Sequence, residues 1–313
     1  LGDADRRSGA GRPVRVEDVA RVAGVSPITV SRALSYPDKV KDETRARILE
    51  AVAQTGYVVN RFASSLRSGR SNVITVFVSS LLNPHFATSV QGIVDSVEGS
   101  GYHLMFAQTG YSEMLEIDVV ESVLPFRPAG VVFTGVVRAD KTRQALQKLG
   151  IPVMEMWGNR PDPIDMLVGS SSYDAGRLMG EHFGERGFRK IAYSGHTIER
   201  TAQRIEGFRH GLAKHRLTLE LIHPMDGTRT FADGMHAFDA ILEQLPGQVA
   251  IAGYGDLEFT QHVRPSLTSL QVSSYEMGRE AGRMLIKRLS GEAIANPIVL
   301  QPISLEARSS TLG

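Results

Sequence analysis

The sequence predicts a small all-α head joined to an α/β body made of two parallel-sheet lobes. Three observations carry that prediction. Two short amphipathic helical patterns flank a glycine near the start. From Val73 the texture changes to β-branched apolar runs alternating with helix-length amphipathic stretches. After Gly169 the same alternation begins again. The length of 313 residues suits two or three domains with a sizeable core. With 42% hydrophobic and 22% charged residues, the composition is that of a soluble globular protein. No apolar run reaches the ~18 residues of a membrane-spanning helix, and the first residues hold no apolar core of a signal peptide, so a cytoplasmic protein without membrane partners is expected. The absence of Cys excludes a disulfide scaffold, a thiolate nucleophile and Cys-ligated zinc or iron–sulfur.

Charge is unevenly placed. Residues 1–72 hold 13 Lys/Arg against 8 Asp/Glu, whereas the remaining 241 residues hold 22 against 26. Between Ala51 and Asn72 there are three arginines and no acid. A basic head on a mildly acidic body suggests that the head meets a polyanion while the body does something else; a solvated basic tail is the plainer alternative.

Residues 1–14, rich in Arg, Gly, Asp and Ala, are expected to form a disordered tail, and residues 15–59 the head. Val16, Val19, Ala20 and Ala23 fall at i, i+3, i+4 and i+7, the buried face of a helix over Val16–Ala23. Gly24 stops that helix because glycine accepts the left-handed conformation a tight stop needs. Val25 plugs the turn, and Ser26 caps the next helix with Pro27 at its first position, where a missing N–H costs nothing. Ala23, Val25, Val30 and Leu34 can hold the two helices together. This spacing describes a helix-turn-helix, whose second helix enters the major groove of DNA. A third helix is expected over Asp42–Thr55. On the second helix Arg32 can grip guanine O6 and N7 bidentately, worth ~1–3 kcal/mol of discrimination. Pro27 and Ile28 offer no side-chain hydrogen bond and can only meet thymine methyls or exclude bases. Thr29 and Ser31 suit phosphate contacts, which position without specifying; Thr29 reads equally as an ordinary helix residue. Residues 60–72 read as hinge and linker: Asn60–Ser68 is helical in composition but has little to bury, and Gly69-Arg70-Ser71-Asn72 follows.

In the body, residues 73–313, strands are expected over Val73–Val78, Tyr102–Ala107, Gly130–Phe133, Pro152–Met156 and Met166–Val168, with helices over His85–Gly99, Ser112–Leu124 and Asp140–Leu149 between them. The second round gives helices over Asp174–Arg186, Glu199–His215 and Phe231–Leu245, and strands over Lys190–Ser194, Leu219–Ile222 and Val249–Tyr254. Apolar strands separated by amphipathic helices argue for parallel sheets covered on both faces.

Catalytic chemistry finds little support. There is no Gly-x-x-x-x-Gly-Lys-Ser/Thr phosphate loop and no Gly-x-Ser-x-Gly elbow. His210 and His215 are five apart, out of register for a zinc pair on one helix face. Gly130–Gly135 lacks the glycine spacing of a dinucleotide site. Glu116, Asp118 and Glu121 read as a solvated helix face. No metal, cofactor or enzymatic activity is expected.

The head motif Val16-Glu17-Asp18-Val19-Ala20, Ala23-Gly24-Val25-Ser26 and Thr29-Val30-Ser31-Arg32-Ala33-Leu34 resembles the head of the lactose/galactose repressor (LacI/GalR) family. The resemblance extends through Thr44, Arg45 and Ile48, through Gly56, Tyr57, Asn60, Ala63 and Leu66, and onward to about Arg308. It implies that Pro27, Ile28 and Arg32 reach base edges. It also implies that Asn60–Ser68 is a hinge helix that orders on operator DNA and pairs with its dimer mate in the minor groove. There Leu66 would wedge between base steps and kink the duplex, with Ala63 small enough to let the helix sit deep. Leu66 also reads as a core residue of the third helix. The family often has Pro before the Asn, where this chain has Val59.

By the same resemblance the body is similar to periplasmic sugar-binding proteins, with the ligand closing the cleft between two lobes. The first lobe would be about 73–169 plus 273–301, and the second about 170–272 plus 302–310. Candidate effector residues are Asn83 and Phe86 after the first strand, at a helix N-terminus that favours anions, and Arg177, which matches the family arginine that grips the effector. Gln108, Thr134 and Trp157 follow the second, third and fourth strands, and Asp256 follows a later one. Asn83–Phe86 also reads as a plain capped turn and Arg177 as a surface residue; Trp157 could stack on a sugar or merely pack. Asn83–Phe86, Gly101-Tyr102, Gly110-Tyr111, Ile151-Pro152-Val153 and Ile164–Gly169 look most like the gluconate-operon branch, which implies a sugar acid or its lactone as effector.

One departure stands out. The family normally adds another strand and helix after the segment matching Phe231–Leu245, the strand ending in an Asn-Asp that touches the effector. Here Leu245-Pro246-Gly247-Gln248 runs straight into Val249, leaving out a β–α unit on the order of 25 residues, where a crossover of that kind needs a dozen or more. Either this lobe is reduced, or the numbering closes over a segment that has dropped out; the second reading is favoured. The expectation as a whole is a homodimeric DNA-binding transcriptional regulator, most readily a repressor, whose operator affinity is set by a small carbohydrate-like effector. Two heads would read a palindrome on successive turns. The alternative is a sugar-binding protein or sugar-processing enzyme whose head does not bind DNA.

Overall fold

The computed structural model describes residues 14–58, 71–195, 199–225, 231–247 and 249–312. The chain divides into two compact units, Leu1–Ser71 and Asn72–Gly313. In the first unit α1 (Val16–Ala23), α2 (Pro27–Ser35) and α3 (Asp42–Thr55) surround a small core. Val19, Val30 and Ile48 are fully buried, and Ala20, Ala23, Ala33 and Ala51 fill the remaining contacts. Alanines at the crossings let three short helices pack closely, so the unit closes without large side chains. Gly24 takes φ 64° and ψ 38°, the left-handed stop expected of it. The expected hinge residues Asn60, Ala63 and Leu66 lie outside the described residues.

In the second unit the first lobe is a six-stranded sheet in the order β10-β5-β4-β3-β1-β2. Its strands are β1 (Val73–Val78), β2 (His103–Gln108), β3 (Gly130–Phe133), β4 (Val153–Met156), β5 (Met166–Gly169) and β10 (Ile298–Leu300), all paired in parallel. Every residue of β3, β4 and β5 is buried, as is β1 after Val73, which is what apolar strands covered on both faces require. One face is covered by α4 (Pro84–Val97) and α10 (Ser274–Leu289), whose Phe86, Ile93, Met277 and Leu285 join Ile74, Val76 and Met154 in one core. The other face packs Val120 and Val123 of α5 (Glu113–Val123) and Leu146 of α6 (Asp140–Leu149) against Phe77 and Phe133. Glu116 departs from the solvated face read from the sequence. It is buried and accepts the Ala139 N–H at 3.2 Å, with Arg138 3.8 Å away, because α5 turns it toward the loop before α6.

The second lobe holds α7 (Ser172–Glu185), β6 (Ala192–Gly195), α8 (Glu199–Ala213), β7 (Leu221–Pro224), α9 (Phe231–Gln244), β8 (Ala252–Tyr254), β9 (Thr268–Gln271) and β11 (Ser304–Glu306). Its sheet is split into two pieces, β6-β7 and β11-β9-β8. The pairs β6–β7 and β8–β9 are parallel, whereas β11 runs antiparallel to β9. Among the described residues no strand or helix intervenes between α9 and β8, so the unit expected after the segment Phe231–Leu245 has no counterpart there. The apolar run from Val249 yields only three residues of strand, with Val249 and Ile251 exposed.

Candidate functional site

On the head, burial and exposure split α2 cleanly. Val30 and Ala33 face the core, while Pro27, Ile28 and Arg32 are exposed, Ile28 at 71%. Ile28 and Arg32 are one turn apart on the same outward face. Ser26 Oγ accepts the Thr29 N–H at 3.2 Å and shares a 2.8 Å hydrogen bond with the Thr29 hydroxyl, so the start of the helix is capped and its first turn fixed. Thr29 and Ser31 are half-buried beside that face. α2 carries no acid in its first turn, and no acidic side chain among the described residues pairs with Arg32. What remains is a convex, capped helix that presents a guanidinium and an isoleucyl side chain outward.

In the body, the seven effector candidates already have partners or packing within the protein, and Asn83, Phe86 and Trp157 lie around His85. Asn83 caps α4 by accepting the His85 N–H at 3.0 Å, and the Gln108 side chain accepts the Leu81 N–H at 3.4 Å, so both stay at the strand ends. Phe86 is a core residue, 2% exposed. Trp157 is buried too: its indole N–H donates to Ser89 Oγ at 2.9 Å, and its ring meets Phe86 edge-on and lies 5.6 Å from that of His85. The Thr134 hydroxyl is buried and accepts the Ser79 N–H at 2.9 Å, tying β3 to the end of β1. Arg177 donates through Nη1 to both oxygens of Glu181 at 3.0 Å and through Nε to Asp174 at 3.4 Å, pairing it along its own helix. Asp256 is held by Arg308 at 2.6 and 2.9 Å and by the Thr260 hydroxyl at 2.8 Å. The Arg308 hydrogen bonds hold its carboxyl below the usual range for Asp.

A different set gathers in the cleft. His85, in the first turn of α4, shares a 3.0 Å hydrogen bond with Ser274 Oγ in the first turn of α10. Burial, and then the charge of Arg204 on α8, lower its pKa and favour the neutral imidazole. The Arg204 guanidinium lies 3.8 Å over the ring of Tyr254 at the end of β8. Among the described residues Arg204 Nε is buried and meets no hydrogen-bond partner. Next to Tyr254, Gly255 has φ +109° and abuts the His85 ring. Two helix N-termini, a cation and a neutral imidazole thus meet at the carboxyl ends of parallel strands, where open α/β sheets take ligands and where oriented N–H groups favour an anion. Arg204 escaped the sequence reading, although a signal existed. Gly176 and Gly180 on α7 and Gly207 and Gly211 on α8 are spaced four apart, and these two helices pack backbone to backbone through them. A Cβ on Gly176 would lie 1.9 Å from the Arg204 carbonyl oxygen, so this close crossing fixes where Arg204 starts.

The family models agree with this geometry. The model for bacterial regulatory proteins, lacI family, matches residues 15–60. That for periplasmic binding proteins and sugar binding domain of LacI family matches residues 71–260, and a periplasmic binding protein-like domain matches residues 233–311. The HTH-type transcriptional regulator GntR of Pseudomonas aeruginosa is 31% identical over 332 residues, covering 96% of each chain. Its counterpart in Escherichia coli is 30% identical over 312 residues, covering 90% of this chain and 94% of that one. A crystal structure of a transcriptional regulator of the LacI family from Silicibacter pomeroyi superposes with a TM-score of 0.86 at 29% identity, covering 96% of this chain and 99% of that one. The 332-residue alignment is longer than the present chain, so the Pseudomonas relative carries residues where this one has none. The family models across both the head and the body, with the GntR relative 31% identical over nearly the whole chain, therefore place this chain in the LacI family of DNA-binding bacterial transcriptional regulators.

Proposed function

We propose that the chain acts in the cytoplasm as a homodimeric repressor, released from operator DNA by a sugar acid of the gluconate type. Arg32, Ile28 and Pro27 read base edges, Ser26, Thr29 and Ser31 meet the backbone, and Asn60, Ala63 and Leu66 serve the minor-groove hinge. One head makes few contacts, and two heads on successive turns multiply them. The effector's carboxylate goes to Arg204, not to Arg177. The observation that carries this reading is the half-buried Arg204 guanidinium held over the Tyr254 ring beside an uncharged His85. A carboxylate pairs with that guanidinium by charge-assisted hydrogen bonds, which a neutral sugar does not offer. Asn83 and Gln108 at the strand ends suit the hydroxyls. Sugar-acid binding that biases one lobe arrangement changes operator affinity by linkage, typically worth ~1–3 kcal/mol.

The test is a thermal-shift series on the full chain with gluconate, gluconolactone and glucose, read alongside anisotropy on the DNA upstream of its own gene. Gluconate is expected to raise the melting temperature and weaken DNA binding. Arg204→Met should abolish both effects and Arg177→Met should abolish neither. A response to glucose equal to that to gluconate, or a response that survives Arg204→Met, would overturn the assignment.

A further inference from the structure

The two lobes repeat one plan, and the second lacks one strand of it. In the first lobe β1 lies between β2 and β3, and β3 joins it to β4. In the second, β6 pairs with β7 as β1 does with β2, and β8 pairs with β9 as β4 does with β5, but nothing among the described residues joins β6 to β8. Burial follows the same divide: all of β3 and β4 is buried, whereas no residue of β6 or β8 is. Where the missing strand would lie there is a cavity of about 930 Å³, lined by Ile191, Ala192, Phe238, Ile241, Ile251 and Ala252 among others.

Both walls of this slot present backbone as well as side chains. The Ile191 and Gly195 carbonyls accept N–H groups from the β7 side, so by parallel alternation the N–H and C=O groups of Ala192 and Ser194 point the other way, into the slot. Gly255 N–H donates to the Leu270 carbonyl, which turns Gly255 toward β9 and by the same alternation leaves the groups of Ala252 facing the slot that it lines. A small apolar molecule could cover the side chains but would strand those donors and acceptors. A lone helix has no free backbone groups to offer them. Only an extended chain satisfies both. Arg189 and Lys190 are exposed at the mouth, just ahead of β6, and there they face the N-terminal flank of a strand running parallel to it.

We propose that this slot is an acceptor for a β-strand supplied by a partner polypeptide: a short apolar segment, preceded by acidic residues, that enters parallel to β6 and β8 and completes the second lobe's sheet. The proposal is independent of the effector assignment, since the slot shares no lining residue with His85, Arg204 or Ser274.

The probe is a fluorescein-labelled peptide of residues 129–136, the strand that fills the equivalent place in the first lobe, preceded by two aspartates. It is titrated into the full-length chain. Saturable anisotropy and a rise in melting temperature of a few degrees are expected. The same peptide carrying Val131→Asp and Val132→Asp should bind about tenfold more weakly or not at all, because it buries charge in an apolar slot. Ile241→Glu should weaken binding of the parent peptide by a similar factor, with circular dichroism confirming an intact fold. A chain in which residues 129–150 are duplicated between Leu245 and Pro246 fills the slot from within, and should melt higher and lose peptide binding. Equal binding of the parent and aspartate peptides, or undiminished binding to the filled chain, overturns the proposal. So does a melting response to a small apolar dye when the peptide gives none.

Discussion

The imidazole of His85 occupies the space that a side chain at position 255 would need. A Cβ built on Gly255 would lie 1.9 Å from His85 Nε2, and the φ of +109° at this glycine is one that side-chain-bearing residues rarely adopt. A residue near the start of the body and one far along the chain are thus matched in shape.

Gly255→Ala is therefore expected to displace His85 and destabilise the body by about 2–4 kcal/mol, combining backbone strain with overpacking. Adding His85→Ala should recover the overpacking part and leave the strain. A double-mutant cycle by denaturant unfolding reads the difference; additive effects of the two substitutions would mean that the rings and backbone do not compete for this space.

Arg32→Ala leaves a helix whose core face, Val30 and Ala33, is untouched. Binding to the cognate upstream duplex should weaken by about 1–3 kcal/mol per bidentate base contact, while binding to unrelated duplex falls much less. Anisotropy at fixed salt separates the two. Ser26→Ala removes the cap seen at Thr29 and should lower head stability by about 1 kcal/mol.

Acid stability should depend on the Asp256–Arg308 pair. Arg308 holds the folded-state pKa of Asp256 below its unfolded value, so the pair stabilises the fold above the unfolded pKa, and that contribution disappears as pH falls through the folded one. Asp256→Asn should cost roughly 2 kcal/mol at neutral pH, less than a fully buried pair because Arg308 keeps 19% of its side chain in solvent. The variant's unfolding free energy should also fall less steeply with acid below about pH 4 than the parent's. Parallel pH profiles for the two proteins would refute this.

Gly207→Ala tests the helix pair that sets Arg204. A Cβ there would lie 1.9 Å from the Tyr173 carbonyl oxygen, which is backbone and cannot swing aside. The helices must separate, at a cost of about 1–3 kcal/mol. A loss of gluconate response larger than the loss of stability explains is expected, because Arg204 moves with α8. A variant as stable and responsive as the parent would show that the crossing does not fix the site.

The effector cleft was only partly legible in the sequence. Asn83 and Gln108 are at strand ends as their spacing suggested, and Asp256 follows its strand, yet its carboxylate turns to Arg308. Arg177 and Arg204 are both arginines on neighbouring helices, and nothing in periodicity separates one paired along its own helix with Glu181 from one turned over Tyr254. Trp157 carried two readings because an aromatic after a strand can face a ligand or the core; its bond to Ser89, 68 positions away, is a contact that sequence spacing does not reveal.

By itself the sequence determined the head. The α1 stripe, the Gly24 stop, the Ser26 cap and the outward placement of Arg32 depend on residues within a few turns of one another, where helical period and turn chemistry leave little freedom. It also determined the alternation of strands and helices in the body and the shortfall after Leu245. Only the tertiary structure decided which arginine pairs along its own helix and which lies over Tyr254, which polar groups are already engaged, and which two strand edges the shortfall leaves open. Those outcomes rest on contacts between residues far apart in the chain, and strands buried on both faces look alike in sequence whichever neighbours they pair with.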